Sequence, residues 1–331
     1  MTANLSRVRI ACALALVELF SAWSCERPSV VPVRWGGRAR LYTATDSMGV
    51  VPTDTSSVRI RTRALPENSA AAMSRTHPGV LFTINDSGND PVLFAIDTTG
   101  APRGAWRVRD AQNVDWEAAA IGPCAPGGPA ACVYIGDVGD NDASHPERTI
   151  YRAAEPRMDP GTAVGVITAK RLDYTYPDGP RDVEAMYVAP NGDTFLISKR
   201  PSVATGGRLR PAFVFRIPAA SWGASGRATA ERVDSLEIVP GSAPLRVITD
   251  AALSPDGKHL AVRTYMQVYV FATDSTTGRV DHRIAPSVCN IVSLGEAQGE
   301  GITWADNTGR LVLTSEGRDS PLERATCPLP R

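Results

Sequence analysis

The most regular feature of the chain is a short apolar run that begins at an acidic residue and occurs five times. In chain order the runs are "PENSAAAMS", "NVDWEAAAIG", "RDVEAMYVAP", "ITDAALSPDG" and "QGEGITWADN", with the acids Glu67, Glu117, Glu184, Asp250 and Glu300. These acids are 50, 67, 66 and 50 residues apart. Such intervals are close to, or somewhat above, the length of one four-stranded propeller blade, so the repeat predicts a β-propeller.

A second strand-like run follows each acidic run after a turn, as in "GVLFTINDSG" and "CVYIGDVGDN". Each second run has an ionisable residue near its end, and these residues are Asp86, Asp137, Lys199, Arg263 and Glu316. Short runs rich in β-branched and aromatic residues supply third strands, and helical periodicity is absent after the leader. The pattern predicts an all-β fold with five blades, and the two long intervals leave room for a sixth.

The end of the chain is too short to complete its last blade, because only 31 residues follow Glu300. The segment "SSVRIRTRALP" alternates apolar positions from Val58 with Arg59, Arg61 and Arg63, which is the period of a half-exposed strand. We expect this N-terminal strand to supply the outer strand of the last blade and remove its open edge. The predicted propeller domain is therefore 57–331.

The first 24 residues have the pattern of a signal peptide, with Arg7 and Arg9 before an apolar stretch at 10–20. Residues 22–25, "AWSC", resemble a bacterial lipobox, which predicts lipidation at Cys25; plain secretion is the alternative. Residues 25–56 would be a tether, with room for one strand. We expect an extracytoplasmic protein, lipid-anchored to the cell envelope or secreted, with membrane association only through Cys25.

Charge and cysteine content narrow the function further. Lys plus Arg and Asp plus Glu number 35 each, which gives no overall positive field to attract nucleic acid. Outside the leader and Cys25, the cysteines are Cys124, Cys132, Cys289 and Cys327. An even number in an exported chain predicts disulfides, with Cys124 pairing Cys132 across a turn and Cys289 pairing Cys327. Zinc is disfavoured because no CxxC is present.

Inner strands of a propeller all start near the axis at one face, and the second strands return to that face. The repeated ionisable residues should therefore converge there as eight carboxylates and two cations. The carboxylates are Glu67, Glu117, Glu184, Asp250, Glu300, Asp86, Asp137 and Glu316, and the cations are Lys199 and Arg263. Carboxylates this close raise one another's pKa or require a counter-ion. Calcium, which takes six to eight oxygen ligands, is the expected ion.

Two other roles for these residues stay open at this point. A carboxylate at a strand start also accepts backbone N–H bonds from a neighbouring blade, which would lock the ring without a metal. Lys199, Arg200 and Arg263 would hold an anionic ligand group, although the loop after Lys199 also has the composition of an ordinary solvated loop.

Several segments resemble a group of exported bacterial β-propellers that is distantly similar to the esterase-like phytase group. They include "NDSGNDPVLFAID", "NVDWEAAAIGP", "YIGDVGDN", "YPDGPRDVEAM", "SPDGKHLAVRTY" and "QGEGITW", and the resemblance extends over about residues 66–318. It implies the propeller fold and leaves the chemistry open, because propellers carry many functions.

Two functions fit these observations. The first is an extracytoplasmic, calcium-stabilised binding module, expected to be a monomer, whose charged axial face holds a small-molecule, carbohydrate or protein ligand. The alternative is a calcium-dependent, phytase-like or esterase-like hydrolase of phosphate or carboxylic esters, in which the ion polarises the substrate and a carboxylate activates water. The chain has no GxSxG, Walker, GxGxxG or HExxH motif.

Overall fold

The computed structural model of the chain describes residues 49–158, 164–199, 211–238 and 247–331, and the backbone of two strands that precede them. These strands, β1 (Val30–Trp35) and β2 (Arg38–Thr43), pair antiparallel with each other. The predicted signal peptide, Cys25 and Arg200 lie outside the described residues. Within the described part of the chain, no helix has the length and apolar character needed to cross a membrane.

Five antiparallel sheets, numbered here as blades 1 to 5, form a β-propeller and confirm the predicted fold and blade number. From the axis outward, blade 1 contains β4 (Ala72–Met73), β5 (Val80–Thr83), β6 (Val92–Asp97) and β7 (Pro102–Val108). Blade 2 contains β8 (Trp116–Pro123), β9 (Ala131–Asp137), β10 (Arg148–Ala154) and β12 (Lys170–Thr175). Blade 3 contains β13 (Val183–Val188), β14 (Thr194–Ser198), β15 (Ala212–Ile217) and β17 (Glu231–Leu236). Blade 4 contains β18 (Ile248–Leu253), β19 (His259–Thr264), β20 (Gln267–Ala272) and β21 (Ser287–Asn290).

Blade 5 joins the two ends of the domain. Its first three strands are β22 (Gly299–Trp304), β23 (Arg310–Ser315) and β24 (Pro321–Thr326), and its outer strand is β3 (Thr53–Arg59). β3 pairs antiparallel with β24, with Val58 opposite Leu322, so the predicted closure by an N-terminal strand is confirmed. The strand ends earlier than the alternating pattern suggested, because the N–H of Arg61 already bonds the carbonyl of Gly100 in blade 1, at 2.7 Å.

Two blades carry a fifth strand that the sequence pattern did not predict. β11 (Val164–Ile167) comes from the chain of blade 2 and pairs parallel with β7 of blade 1. β16 (Ala228–Thr229) comes from the chain of blade 3 and pairs parallel with β12 of blade 2. Val50, just before β3 of blade 5, likewise bridges in parallel to Cys289 of blade 4. In these three places the outer edge of one blade is therefore joined to the next blade.

Apolar side chains fill the interfaces between neighbouring blades. Strands β13 and β14 are buried along their whole length, without the alternation of a sheet that has one face in water. Phe82 of blade 1 and Ile135 of blade 2 belong to one such interface, and Phe195 of blade 3 and Leu260 of blade 4 to another. Both faces of a blade contact a neighbouring blade, which explains the nearly continuous apolar runs in the sequence.

The covalent bonds follow the sequence prediction. Disulfides join Cys124 to Cys132 and Cys289 to Cys327, and both predicted pairings are confirmed. The first closes the β8–β9 hairpin, and the second links the outer strand of blade 4 to the chain just after β24 of blade 5.

Candidate functional site

Each inner strand begins with a β-bulge, an extra residue that interrupts pairing with the second strand. The register shifts between Trp116 and Ala118, between Val183 and Ala185, between Ile248 and Asp250, and between Gly299 and Gly301. Blade 1 has the same irregularity, since Asn68 pairs with Asn85 and the N–H of Ser69 bonds the carbonyl of Ile84. The five bulge residues are Ser69, Glu117, Glu184, Thr249 and Glu300, and all are buried.

The bulge changes how the repeat must be aligned. The repeat in the sequence aligns Glu67 and Asp250 with Glu117 by their charge, but the residues at the equivalent bulge positions are Ser69 and Thr249. The hydroxyl of Ser69 donates to Oε2 of Glu117 at 2.7 Å, and the hydroxyl of Thr249 donates to the carbonyl of Gly299 at 3.0 Å. Both contacts join one blade to the next, so three glutamates and two hydroxyls surround the axis at this end.

Three carboxylates converge beside this ring. Asp86 follows β5, Asp115 precedes β8, and Glu117 is the bulge residue of blade 2. One oxygen from each lies within 4.8 Å of the others. A Cβ placed on Gly139 would lie 2.6 Å from Oδ2 of Asp115 and 2.6 Å from Cγ of Glu117, so only glycine leaves room for the two side chains. We call Asp86, Asp115 and Glu117 the carboxylate trio.

Burial and the neighbouring negative charges make Asp115 and Glu117 hard to ionise. Burial, together with the neighbouring charge of Asp86, raises the pKa of Asp115 to about 7. Burial also raises the pKa of Glu117 well above its usual value, and Glu184 and Asp86 add to the effect. Among the described residues, no Lys or Arg lies within ion-pair distance of the trio. A bound cation would relieve this repulsion.

Lys199 belongs to the same end of the axis but neutralises other acids. Its ammonium contacts Oε1 of Glu184, lies 3.8 Å from Asp182, and donates to Oδ1 of Asn141 at 3.2 Å. Burial acts to lower the pKa of Lys199, but Glu184, Asp182 and Glu117 outweigh it and raise the pKa. Burial likewise raises the pKa of Glu184 to about 7, although Lys199 opposes the rise. Lys199 is thus an internal counter-ion.

Glu300 has an unused oxygen. Tyr265 donates its hydroxyl hydrogen to Oε1 of Glu300 at 3.3 Å, whereas Oε2 has no hydrogen-bond partner in the described residues. Glu300 is nearly inaccessible, at 6% exposure. Burial and the charge of Glu184 raise the pKa of Glu300 well above its usual value, while Lys199 and a hydrogen bond from the Gln298 side chain oppose the rise. A buried carboxylate oxygen without a donor is costly, so this atom marks a position where a ligand atom or ion would be favourable.

At the rim of this opening lie Glu67 and Glu316. Glu67 is exposed and accepts a hydrogen bond from Asn89 at 2.5 Å. Glu316 contacts the side-chain amide of Gln298, and burial raises its pKa, with the charges of Asp86 and Glu67 contributing. We call the whole region the acidic mouth; it comprises Glu67, Asp86, Asp115, Glu117, Asp182, Glu184, Lys199, Tyr265, Glu300 and Glu316.

Two of the sequence-predicted residues have structural ion-pair partners instead. Asp137 forms a buried ion pair with Arg148 at 3.0 Å. Arg263 is completely buried and donates to the carbonyl of Gly301 at 2.7 Å and to Oε2 of Glu296 at 2.5 Å. Asp137 also accepts the N–H of Asp115 at 2.8 Å, which places it beside the carboxylate trio. The predicted ligand roles of Asp137 and Arg263 stay predictions. Both residues belong to pairs that hold strands together, and Arg263 is closed off from any external anion.

Asp250 has the structural role that the sequence also allows for these carboxylates, which is to accept backbone N–H bonds from neighbouring blades. It accepts backbone N–H bonds from Ala251 and Ile302 at 2.8 Å each and from Ala71 at 3.4 Å. These donors belong to blades 4, 5 and 1, so one carboxylate joins three inner strands. Burial raises the pKa of Asp250 well above its usual value, while these three N–H donors act to lower it. Because Asp250 holds three inner strands together next to the mouth, we call it the clamp residue.

The sequence-based set omitted Asp115, Asp182, Ser69 and Tyr265. A signal for the first two was present, since "DWE" and "DVE" place an aspartate two residues before the bulge glutamate in blades 2 and 3. No comparable pattern identifies Ser69 or Tyr265, because neither residue type repeats at its position. Trp116 and Trp304, which lie near bulge glutamates in the sequence, are buried, and the indole N–H of Trp304 donates to the carbonyl of Ala252 at 2.8 Å.

No protein-family model matches the chain, and no curated protein matches it. Among solved structures, the Malassezia sympodialis allergen Mala s 1 matches with 9% identity and a TM-score of 0.49, covering 81% of this chain and 95% of that one. Glutaminyl cyclase from Myxococcus xanthus matches with 11% identity and a TM-score of 0.47, covering 82% and 95%. The PQQ-bound aldose sugar dehydrogenase of Streptomyces coelicolor matches with 13% identity and a TM-score of 0.42, covering 83% and 99%. Similarity at this level carries no inference about ligand or activity.

Proposed function

We propose that the chain is an extracytoplasmic binding propeller whose acidic mouth takes up a divalent cation, with calcium as the expected ion. The observation that carries this proposal is the carboxylate trio, whose oxygens lie within 4.8 Å of one another. Calcium takes six to eight oxygen ligands, including carboxylates, carbonyls and water. The unused Oε2 of Glu300 is a further acceptor at the same end of the axis.

The charge of the mouth limits what the bound ion can recruit. One lysine opposes the eight acids of the mouth, which are Glu67, Asp86, Asp115, Glu117, Asp182, Glu184, Glu300 and Glu316. A divalent ion and Lys199 together leave the region negative when these acids are ionised. A neutral polyhydroxyl ligand such as a carbohydrate, whose hydroxyls complete the coordination of the ion, is therefore favoured over a phosphate or carboxylate.

The excess of negative charge in the mouth also argues against the sequence-based prediction that Lys199, Arg200 and Arg263 hold an anionic ligand. Arg263 is closed off by its contacts with Gly301 and Glu296, and Lys199 is paired with Glu184. Arg200, the third member of that set, lies outside the described residues. A phytase-like role would need a second cation to hold the phosphate.

Location outside the cytoplasm is part of the proposal. Two disulfides support it, because such bonds persist in oxidising compartments. Lipidation at Cys25 stays a prediction, and the intact mass of membrane-extracted protein tests it.

The calcium test compares thermal unfolding and isothermal titration in EDTA and in rising calcium. Binding to the native state alone stabilises it by about 2.7 kcal/mol at one hundred times Kd. The variant Glu117→Gln should lose most of this gain, whereas the exposed control Glu147→Gln should keep it. A melting temperature that is indifferent to calcium and EDTA would refute the proposal.

The hydrolase alternative keeps one supporting observation. Asp115 and Glu184 have pKa values raised to about 7, mainly by burial, which suits a general base at neutral pH. A panel of phosphate and carboxylic esters, with and without calcium, separates the two functions. Calcium-dependent turnover that disappears in Glu117→Gln would favour the enzyme, and no turnover above that variant would favour the binding module.

A further inference from the structure

The opposite end of the propeller axis contains a separate cavity. The inner strands all start at the acidic mouth, and their far ends line a cavity of about 260 Å³. Its wall includes Ala72, Ala120, Val188, Ala252 and Thr303, one from each blade. The clamp residue Asp250 bonds the inner strands between the two ends, so the cavity is distinct from the mouth.

Most of the side chains on the wall of this cavity are apolar. The hydroxyl oxygen of Thr303 already accepts the N–H of Met73 at 2.8 Å, and the indole N–H of Trp304 donates to the carbonyl of Ala252 at 2.8 Å. The other side chains that face it are mainly alanine and branched aliphatic groups. A recess of this kind favours an apolar ligand, and its volume is just below the range of about 300 to 1,000 Å³ that drug-sized ligands use.

One charged group lies at the rim. Arg75, two residues after β4, lines the cavity and is exposed. The nearby carboxylate of Glu155 is occupied, since it accepts the Ser74 hydroxyl at 2.5 Å and the backbone N–H groups of Arg75 and Thr76 at 3.0 and 3.3 Å. The guanidinium of Arg75 makes no hydrogen bond or direct ion pair with any residue that the structure describes. Burial lowers the pKa of Arg75, and the nearby charge of Glu155 opposes this shift.

We propose that this cavity binds a small monocarboxylate with an apolar tail, such as a medium-chain alkanoate. The tail fills the space between the inner strands, and the carboxylate pairs with Arg75 at the rim. A guanidinium presents donors in a planar fork that matches a carboxylate. This site does not depend on the metal or on the ligand of the acidic mouth.

Isothermal titration with butanoate, hexanoate and octanoate in EDTA tests the proposal while the mouth is kept free of metal. Each buried methylene should raise affinity about fourfold until the cavity is full. Octanol, which has the same tail without the charge, should bind up to about fivefold more weakly than octanoate. No saturable octanoate binding, or affinity independent of chain length, would overturn the site.

Two variants test separately how the carboxylate and the alkyl tail of the ligand contribute to binding. Arg75→Met should bring the affinity for octanoate down to that for octanol and leave octanol binding unchanged, and Arg103→Met, an exposed arginine of β7, is the matched control. Ala252→Leu should fill the cavity and abolish binding of both ligands, with its melting temperature confirming the fold. Octanoate affinity that is the same in Arg75→Met and in the wild type would refute the role of Arg75, and because Arg75 is exposed, misfolding does not obscure that result.

Discussion

Replacing Asp115 by Asn should stabilise the protein without calcium and destabilise it relative to wild type with calcium. A pKa of about 7 in the folded protein, against 3.8 for an unperturbed aspartate, corresponds to about 4 kcal/mol of folding free energy above pH 7. Because Asp115 is partly exposed, solvent screening reduces this to about 2 kcal/mol. In a chain of this size, 2 kcal/mol raises the melting temperature by about 3 °C.

The pH dependence of folding stability gives an independent test of whether Asp115→Asn stabilises the protein. Below about pH 4 the carboxyl is protonated in both the folded and the unfolded state, so Asp115→Asn should have no advantage. Between about pH 4 and 7 only the unfolded state ionises, which destabilises the wild type progressively, and the full difference is present above pH 7. Urea unfolding in EDTA at pH 4 and pH 8 measures both limits.

Repeating the unfolding measurements with calcium shows whether Asp115 is a ligand of the ion or a structural hydrogen-bonding group. With saturating calcium the order should reverse, because the substitution Asp115→Asn removes a charged ligand of the ion. The control Asp110→Asn keeps an exposed position with a φ of 56°, which asparagine tolerates, and should change neither limit. If Asp115→Asn destabilises the protein equally in EDTA and in calcium, Asp115 acts through structural hydrogen bonds and the counter-ion reasoning is wrong.

Three further predictions concern single contacts. Gly139→Ala should weaken calcium binding at least tenfold by titration, because its Cβ would lie 2.6 Å from Asp115 and Glu117; unchanged affinity would show that the loop moves freely. Arg263→Met should cost about 3 to 5 kcal/mol in urea unfolding by leaving Glu296 buried and unpaired, and the double variant with Glu296→Gln should recover part of that loss. Replacing Cys289 and Cys327 by Ser opens a link over 38 residues and should cost about 4 kcal/mol, measured by the same unfolding assay against wild type.

Much of the fold was predictable because it follows from local patterns. The spacing of the acidic runs indicated the number of blades, and the shortage of residues after Glu300 indicated closure by β3. Both disulfides followed from an even cysteine number and a turn. The fifth strands β11 and β16 were not predictable, because each pairs with a blade that its own segment does not belong to, and their sequences are short and weakly patterned.

The site was predicted less completely than the fold. The repeat of ionisable residues predicted that Glu117, Glu184, Glu300 and Lys199 lie at one end of the axis. Such a repeat does not determine the register in which neighbouring strands pair. A bulge of one residue decides whether an acid faces the axis or a neighbouring strand, as the one-residue difference between Thr249 and Asp250 shows. Long-range partners such as Arg148 for Asp137 depend on how three strands align, which no local pattern encodes.

Closure of the ring by β3 has a consequence for synthesis of the chain. β3 is synthesised before the other strands of the propeller, yet its partner β24 ends at Thr326. The first strand of the propeller therefore stays unpaired until the last blade has been synthesised. An unpaired strand tends to associate with other chains when it is apolar. The sequence of β3, "TDTSSVR", is almost entirely polar and exposed, and only Val58 is partly buried against the blade. Because β3 is polar, we expect it to have little tendency to associate with other segments before β24 is available for pairing.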